Sequence, residues 1–578
     1  MLLNVSIREI YGKVLESCHY GAMQKCKKCQ GLFEVTSEDL SFYEHISPVF
    51  EGKKYRVPAP VLCPSCRLRN RLVFRNQTAL FQRPAFPDGG MIISMHAAGA
   101  PFPVMRNEDW ISDSWEPLAY GQDFDFSRPF FDQFKELNDR APKYARMALR
   151  NENCDFANNL SDNKNCYMVF SVSNAEDCMY CEDCWGSKDC LDCTITLQSE
   201  KCYDCTDCLR CYNLQSSLFS ENCSDSIFLA FCRSCKNCFG CTNLRGREYC
   251  IFNEQKTKEE YEVFMKAFDG SSWAQRNWYR EKFEGLMRQS PRPHAVVHNM
   301  EECTGNFLTE SRRVTSSFFI QGGEDLKYCF NLYEGAKDCM DYSFSGRRAE
   351  LIYESSICVI NVYNILFSVQ CRDGSSNLFY CYSCDSCQDC FGCSGLRKKQ
   401  YCIFNKQYSK EEYEMQVVRI IEHMQSTGEW GRFFPEALTP VPYNRSIASR
   451  YFPLSKVEVL KQGFTWYEED PQDFPGAISA LELPDTLPNG EEPLVVKSFL
   501  SGKPFRITGM EFARYKKFKV PLPRLSYEER MNERAKKLGG VQLYERTCAK
   551  TGRKLRTVYP PETPFIVWDA NVYKQEFQ

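Results

Sequence analysis

Cysteines recur at a fixed short spacing through the middle of the chain. In the stretch KDCLDCTITLQSEKCYDCTDC, which begins at Lys188, they recur at steps of three and again at steps of twelve residues. Cys166, Cys178, Cys190 and Cys202 lie on one line of that twelve-residue grid. A short fixed period is typical of a solenoid, in which each coil stacks on the previous one. Because twelve residues are too few for a helical hairpin, the pattern predicts a narrow β-coil of two short strands and two turns.

The cysteine-rich region is duplicated. The sequence CFGCTNLRGREYCIFNEQKTKEEYE begins at Cys238, and CFGCSGLRKKQYCIFNKQYSKEEYE begins at Cys390. This match is too long and too ordered to arise by chance, so two tandem β-solenoid repeats are predicted, over 150–290 and 291–435.

Each repeat passes from an apolar strand into a helix that we expect to cap the open end of the stack. Thr257 with Glu260, and Ser409 with Glu412, have the spacing of capping boxes. They predict amphipathic helices over 258–267 and 410–425.

The two ends of the chain form a second, more divergent pair. KCKKCQGLFEVTSEDLSFY, from Lys25, resembles KSFLSGKPFRITGMEFARY, from Lys497. Three arginines then align between the ends, namely Arg67, Arg71 and Arg83 with Arg530, Arg534 and Arg546. The predicted fold class is mainly β with accessory helices. Its predicted order is a zinc-ribbon-like N-terminal module over 1–115, a linker with a helix over 116–149, the two repeats, a linker over 436–484, and a degenerate C-terminal copy of the module over 485–578.

The N-terminal module contains a candidate zinc site. Two Cys-x-x-Cys pairs supply the four candidate ligands, which are Cys26, Cys29, Cys63 and Cys66. Four thiolates from two such pairs give Zn²⁺ a closed tetrahedral shell, so one structural zinc is expected. The alternative is a set of ordinary buried or surface thiols. The same four positions in the C-terminal copy are Ser498, Ser501, Ser526 and Glu529, so that module is expected to be held by packing without metal.

The repeat cysteines allow three interpretations. Cysteine is a small residue that fits a narrow core, and coils about 4.8 Å apart also place thiols within reach of a shared metal or of a disulfide. The second repeat favours the core, since Leu326 replaces Cys178 and Tyr342 replaces Cys193. Metal between coils remains an alternative, so that more than one zinc is allowed. The candidate ligands are Cys178, Cys181, Cys190, Cys193, Cys202, Cys205, Cys232, Cys235, Cys238, Cys241, Cys384, Cys387, Cys390 and Cys393.

Composition and charge narrow the class of protein. The chain has 578 residues, 34 cysteines, 43% hydrophobic residues and a formal net charge of -3, which is typical of a globular protein. We found neither a signal-peptide pattern nor an apolar run that could span a bilayer, so a cytoplasmic protein without membrane contact is expected. In that compartment the cysteines are expected to be thiols or metal ligands more than disulfides.

A basic stretch in the N-terminal module is the candidate contact for nucleic acid or an acidic protein. Its residues are Lys53, Lys54, Arg56, Arg67, Arg69, Arg71 and Arg75, with no acidic residue among them. Such a stretch could neutralise a phosphate backbone. The alternative is a solvated face balanced by acidic residues elsewhere.

Catalytic motifs are missing from the sequence. It contains no phosphate-binding loop, no dinucleotide fingerprint, no nucleophile elbow and no paired-histidine zinc helix. No small-molecule substrate can be identified. The leading hypothesis is therefore a non-enzymatic zinc-binding scaffold whose basic ends contact a partner. The alternatives are a thiol-rich metal-handling or redox protein that uses the stacked Cys-x-x-Cys pairs, and an unrecognised enzyme.

Three long motifs carry a resemblance to a known family. They are CFGCSGLRKKQYCIFNKQYSKEEYE, the GEWGRFF that follows it, and DFDFSRPFFDQF from Asp123. They resemble an uncharacterised zinc-ribbon, Cys-rich repeat family of small-genome candidate-phylum bacteria. The resemblance implies a cytoplasmic bacterial protein with terminal zinc-binding modules, and it implies no particular activity. This chain departs from the family where further Cys-x-x-Cys pairs would lie, at Ala85, Asp88, Arg106, Asp109, Thr551, Asp569 and Val572.

Overall fold

The computed structural model describes residues 22–154, 156–333, 335–344, 346, 348–469 and 474–577. These residues form a mainly β protein with accessory helices, as predicted. Two sheets of twelve strands each occupy the middle of the chain, and smaller two- and three-stranded sheets belong to the regions around them. Within the described residues, none of the helices combines the length and hydropathy that a membrane span requires.

The two large sheets, here called the first and second ladders, consist almost entirely of parallel strands. The strands of the first ladder are Ala148–Leu149, Asn158–Ser161, Phe170–Ser173, Glu182–Trp185, Thr194–Leu197, Thr206–Leu209, Tyr212–Gln215, Leu218–Glu221, Ser224–Ala230, Phe239–Thr242, Cys250–Ile251 and Glu254–Gln255. The strands of the second ladder are Val297–Glu301, Gly305–Thr315, Ser317–Gln321, Glu324–Lys327, Phe330–Leu332, Lys337–Ser343, Glu350–Ser356, Tyr363–Leu366, Ser376–Phe379, Gln388–Phe391, Gln400–Ile403 and Lys406–Gln407. Each ladder closes with one antiparallel pair.

The strand register reproduces the spacing seen in the sequence. Glu182 pairs with Thr194, and Thr194 pairs with Thr206, so neighbouring parallel strands of the first ladder are offset by twelve residues. Some pairs of the second ladder are offset by thirteen, as Cys339 and Ile352 are. The path of the backbone within each coil differs from the two strands and two turns that the pattern predicts. The chain turns at every third residue, and Asp189, Asp192, Ile195 and Gln198 have φ values of 54°, 64°, 53° and 48°. Each such coil therefore has four sides of three residues, joined at left-handed corners.

The residue after each corner points into the coil. In one coil these inward residues are Cys190, Cys193, Thr196 and Ser199, and all four are buried. Their counterparts form one cluster along the first ladder, and a matching cluster along the second ladder includes Leu326 and Tyr342. The step of three in the cysteine grid is thus the spacing of inward positions, which explains why small residues recur there.

Inward thiols and hydroxyls make the same hydrogen bonds. Cys181 Sγ donates to the carbonyl oxygens of Met179 and Cys190, at 3.4 and 3.3 Å. Ser187 Oγ donates to those of Trp185 and Thr196, at 3.2 and 3.3 Å. A small side chain with one donor therefore fills the narrow core and also satisfies a buried carbonyl group.

The two ladders lie side by side and run in opposite directions. The Trp185 ring contacts the Tyr333 ring, with 4.2 Å between centroids. Farther along the first ladder, Phe219 stacks on Phe307, which lies near the start of the second ladder, at 5.9 Å. Residue numbers therefore increase along one ladder in the direction in which they decrease along the other.

The helices lie around the ladders and within the end modules. Both predicted capping boxes are confirmed, and they begin the helices Lys258–Ala267 and Lys410–Thr427. The helix Trp273–Gln289 follows the first of them and had no sequence prediction. The other α-helices are Ser37–Ile46, Pro64–Leu72, Asn107–Ile111, Phe130–Arg140, Ala448–Tyr451, Lys456–Lys461, Gly509–Phe518, Tyr527–Leu538 and Ala570–Phe577.

Candidate metal centre

The four cysteines of the N-terminal module come from two elements. Cys26 and Cys29 lie in the turn between the antiparallel strands Ala22–Lys25 and Leu32–Val35. Cys63 is the N-cap of the helix Pro64–Leu72, and Cys66 lies in its first turn. A hairpin turn and a helix start thus meet face to face.

The sulfur positions suit a metal ion. All four Sγ atoms lie within 4.8 Å of one another, and Cys29 Sγ is 3.6 Å from Cys63 Sγ. Four thiolates around Zn²⁺, each about 2.3 Å from the ion, would be about 3.8 Å apart. The hydrogen bond from the Cys66 side chain lowers the pKa of Cys63 to about 5, which favours the thiolate that a metal needs. The donor set therefore fits a tetrahedral metal ion.

The helix that begins at this site also holds the module on the second ladder. Arg67 Nε donates to Asp341 Oδ2 at 2.8 Å, and Arg71 Nη1 donates to Asp341 Oδ1 at 2.9 Å. Arg71 Nε also donates to Ser343 Oγ at 3.1 Å. All of these side chains are buried, so the two cations share one carboxylate away from water.

This contact corrects part of the predicted nucleic-acid surface. Arg67, Arg71 and Arg75 are buried and cannot reach a phosphate backbone, so their assignment to that surface was wrong. Arg75 donates to Gln77 Oε1 at 2.7 Å and lies over the Phe344 ring at 4.2 Å. These three arginines contact acidic and aromatic groups of the second ladder, which lie hundreds of residues away in sequence.

The remaining basic residues of the stretch lie near the surface. Lys53 Nζ is 2.9 Å from Glu422, and Arg56 Nε is 3.2 Å from Glu44. Lys54 Nζ is 3.3 Å from the same Glu44 carboxylate. Arg69 is half-buried. Exposed pairs of this kind contribute little to stability.

The C-terminal module closes the equivalent turn with a carboxylate. Glu529 accepts hydrogen bonds from Ser498 Oγ and from Ser526 Oγ, the latter at 2.9 Å, and from Ser526 N at 2.8 Å. Burial acts to raise the pKa of Glu529, but the bonds from Ser498, Ser501 and Ser526 together lower it. A hydrogen-bonded cluster thus occupies the place of the four cysteines.

The C-terminal module also repeats the arginine contact, on the first ladder. Arg530 Nε donates to Asp192 Oδ2 at 2.7 Å. Arg534 Nε donates to Thr194 Oγ1 at 3.2 Å, and Arg534 Nη1 donates to Asp204 Oδ1 at 3.2 Å. The sequence alignment paired these arginines with Arg67 and Arg71 but missed their acceptors. The available signal was the shared motif, KDCLD at Lys188 and KDCMD at Lys337.

Each end module has a second pair of loops in which further Cys-x-x-Cys pairs were expected, and neither pair of loops carries four thiols. In the N-terminal module Arg106 Nη2 donates to Asp88 Oδ2 at 3.0 Å. This bond joins the two loops in which the Cys-x-x-Cys pairs were expected. In the C-terminal module Cys548 Sγ accepts from Asp569 N at 3.2 Å. Ordinary hydrogen bonds therefore join the same pairs of loops.

The repeat cysteines lie in the ladder cores. All cysteines that the structure describes are free thiols, and those named as candidate inter-coil ligands are buried. Burial raises the pKa of the Cys181 and Cys205 thiols well above the usual range. Among the described residues, the ligand atoms of no other group of three or more Cys, His, Asp or Glu lie within 4.8 Å of one another. The structure therefore brings the N-terminal cysteines together and spreads the repeat cysteines along the cores.

Comparison with known proteins adds no further constraint on these residues. No family model matches the chain, and no curated protein matches it.

Proposed function

We propose that the protein is a non-enzymatic scaffold of two β-solenoids, in which one structural zinc holds the N-terminal module in place. The twelve-residue offset between parallel strands supports the solenoid architecture. The four sulfurs within 4.8 Å of one another support the metal site.

A single observation carries the proposal. Cys63 and Cys66 begin the same short helix that presents Arg67 and Arg71 to Asp341. A metal that fixes the start of this helix also fixes the direction of both guanidinium groups. Because burying two cations with one carboxylate is favourable only in good geometry, the metal would stabilise the contact between module and ladder.

Zinc is the metal class that this donor set favours. Soft thiolates in a tetrahedron suit Zn²⁺, and a shell of four protein ligands leaves no open position for a substrate. The proposed role of the metal is therefore structural. The four cysteines would hold the ion, and the surrounding hairpin turn and helix start would orient them.

The rival hypothesis is a metal-handling or redox protein that uses the repeat thiols. Those thiols donate to backbone carbonyl groups within the core, as Cys181 does to Met179 and Cys190. Ser187 makes the same bonds with a hydroxyl. A position that accepts either atom favours packing and hydrogen bonding over sulfur chemistry.

Metal analysis of protein purified without added metal tests the proposal. We expect about one zinc per chain, lost in Cys29→Ser and retained in Cys303→Ser, a matched change at a partly exposed ladder cysteine. A thiol count after unfolding in chelator should recover all 34 cysteines. Three or more tightly held metals would favour the rival, and a metal-free wild-type protein would refute the zinc site.

A further inference from the structure

The facing sides of the two ladders leave a cleft between them, here called the inter-ladder cleft. Its volume is about 1090 Å³, large enough for a small organic molecule. Its buried lining includes Ile195, Phe307, Phe319 and Ile357, so the base of the cleft is apolar and partly aromatic. The ring of Trp185, which also lines the cleft, lies against Tyr333.

Several charged groups that line the cleft already have partners. Arg150 Nε donates to Asp162 Oδ1 at 2.7 Å. Glu221 is bonded by Arg210 and lies 3.3 Å from Arg233 Nε. The charges of these three arginines are therefore largely neutralised.

Asp207 is the exception among the acidic residues that the first ladder contributes to the cleft. It occupies a left-handed corner of the first ladder, with a φ of 52°, and its half-buried side chain lines the cleft. It makes no hydrogen bond or ion pair with any residue that the structure describes. Two other corner aspartates of this ladder have cationic partners: Asp189 has Arg514 and Asp192 has Arg530.

The surroundings of Asp207 are those of a carboxyl group that lacks a cation. Burial, with a smaller contribution from Cys208, raises the pKa of Asp207 to about 8. A cation brought next to it would favour the carboxylate and offset the cost of its burial. Aromatic faces in the same cleft would attract the same cation.

We propose that the inter-ladder cleft binds a small organic amine, whose ammonium group pairs with Asp207 and whose apolar body lies against the aromatic base. The cavity provides the volume, the buried rings provide the apolar contact, and the unpartnered carboxyl provides the charge. This inference does not depend on the metal site, because none of the four cysteines lines the cleft.

Calorimetric titration of the full chain with matched pairs of probes tests the proposal. The amines are tryptamine, phenethylamine and hexylamine, and each is compared with the neutral alcohol of the same body. We expect at least one amine to bind about ten-fold more tightly than its alcohol, as a charge-assisted pair requires. If none of the three amines binds, or if amine and alcohol bind equally, the proposal is overturned.

Two variants locate the effect. Asp207→Asn keeps the size of the side chain and removes its charge, so the preference for the amine over the alcohol should disappear while the melting temperature stays close to wild type. Glu310→Gln removes an exposed carboxylate from the rim of the same cleft and should keep the preference. An amine preference that survives in Asp207→Asn, or that is lost equally in Glu310→Gln, would contradict the assignment of Asp207.

Discussion

The N-terminal and C-terminal modules each pack a helix on a ladder through an equivalent pair of arginines. They differ in the groups that join the start of that helix to the preceding hairpin turn. In the first module four thiols surround one point, and in the second Glu529 accepts bonds from serine hydroxyls at the same positions. Beyond that point, Arg67 and Arg530 donate to equivalent aspartates at 2.8 and 2.7 Å. The comparison teaches that the docking contact is the shared feature, and that the chain fixes the helix start in two chemically different ways.

The largest expected effect comes from breaking the thiol cluster. Cys66→Ser should abolish zinc binding and destabilise the helix Pro64–Leu72 by about 4 kcal/mol or more, because metal-binding energy contributes directly to folding. Hydrogen exchange of that helix measures the change. Ser501→Ala, at the position of the C-terminal module that corresponds to Cys29, should cost less than about 1 kcal/mol. An equal loss of hydrogen-exchange protection in both modules would show that the four thiols stabilise their helix no more than the serine cluster does.

The next effect concerns the contact that the modules share. Asp341→Asn removes the only charge that Arg67 and Arg71 both contact in the described structure, and Asp192→Asn does the same for Arg530. Removing the carboxylate from a buried ion pair costs about 3–5 kcal/mol, although Arg67 Nε also lies 3.8 Å from Glu354. We expect each variant to weaken hydrogen-exchange protection in its own module and leave the other unchanged.

A matched control for these variants is available on the second ladder. Asp389 is also a corner aspartate, but it accepts hydrogen bonds from the neutral amides of Asn377 and Gln400, at 2.8 and 3.2 Å. Asp389→Asn should therefore cost less than about 1 kcal/mol. A loss in Asp389→Asn as large as that in Asp341→Asn would mean that any corner change destabilises the ladder.

A third prediction concerns a variant in which the C-terminal module is given the four cysteines of the N-terminal module. Replacing Ser498, Ser501, Ser526 and Glu529 with cysteine should raise the zinc content from about one to about two per chain. Ligand binding to the folded state at a hundred times its Kd stabilises by about 2.7 kcal/mol, and the lost hydrogen bonds reduce this gain to about 2 kcal/mol. Metal analysis and thermal melting with and without chelator measure the result. A single zinc in this variant would show that the C-terminal backbone cannot form the site.

Much of this architecture could be predicted from the sequence, because it depends on local and periodic features. The twelve-residue offset, the capping boxes at Thr257 and Ser409, and the two Cys-x-x-Cys pairs are all visible as short spacings. The four-sided coil was missed, although the step of three was present. Its left-handed corners are rich in Asp and Asn, such as Asp189, but they also carry Ile195 and Gln198, so residue type marks them only in part.

The burial of the basic residues could not be predicted from the sequence for a different reason. Arg71 and Asp341 are 270 residues apart, so their pairing depends on how module and ladder fold together. A run of arginines without acidic neighbours suggests a binding surface when the distant carboxylate is unknown. The shared KDCLD and KDCMD motifs were the only sequence signal of the acceptor.

The smallest expected effect is the dependence of stability on pH, which should differ between the cluster of Glu529 and serines and the four-cysteine cluster. The folded state lowers the pKa of Glu529, so it binds a proton less readily than the unfolded chain does. The stability that Glu529 contributes is therefore present above the ordinary glutamate pKa and is lost as the pH falls through the lower folded value. Glu529→Gln should cost the helix Tyr527–Leu538 about 1 kcal/mol near neutral pH and remove this acid dependence. Glu533→Gln, on an exposed face of the same helix, should retain it. Because the carboxylate in the C-terminal module occupies the place of four thiols, an acid response that persists in Glu529→Gln would mean that another titrating group, and not this carboxylate, causes it.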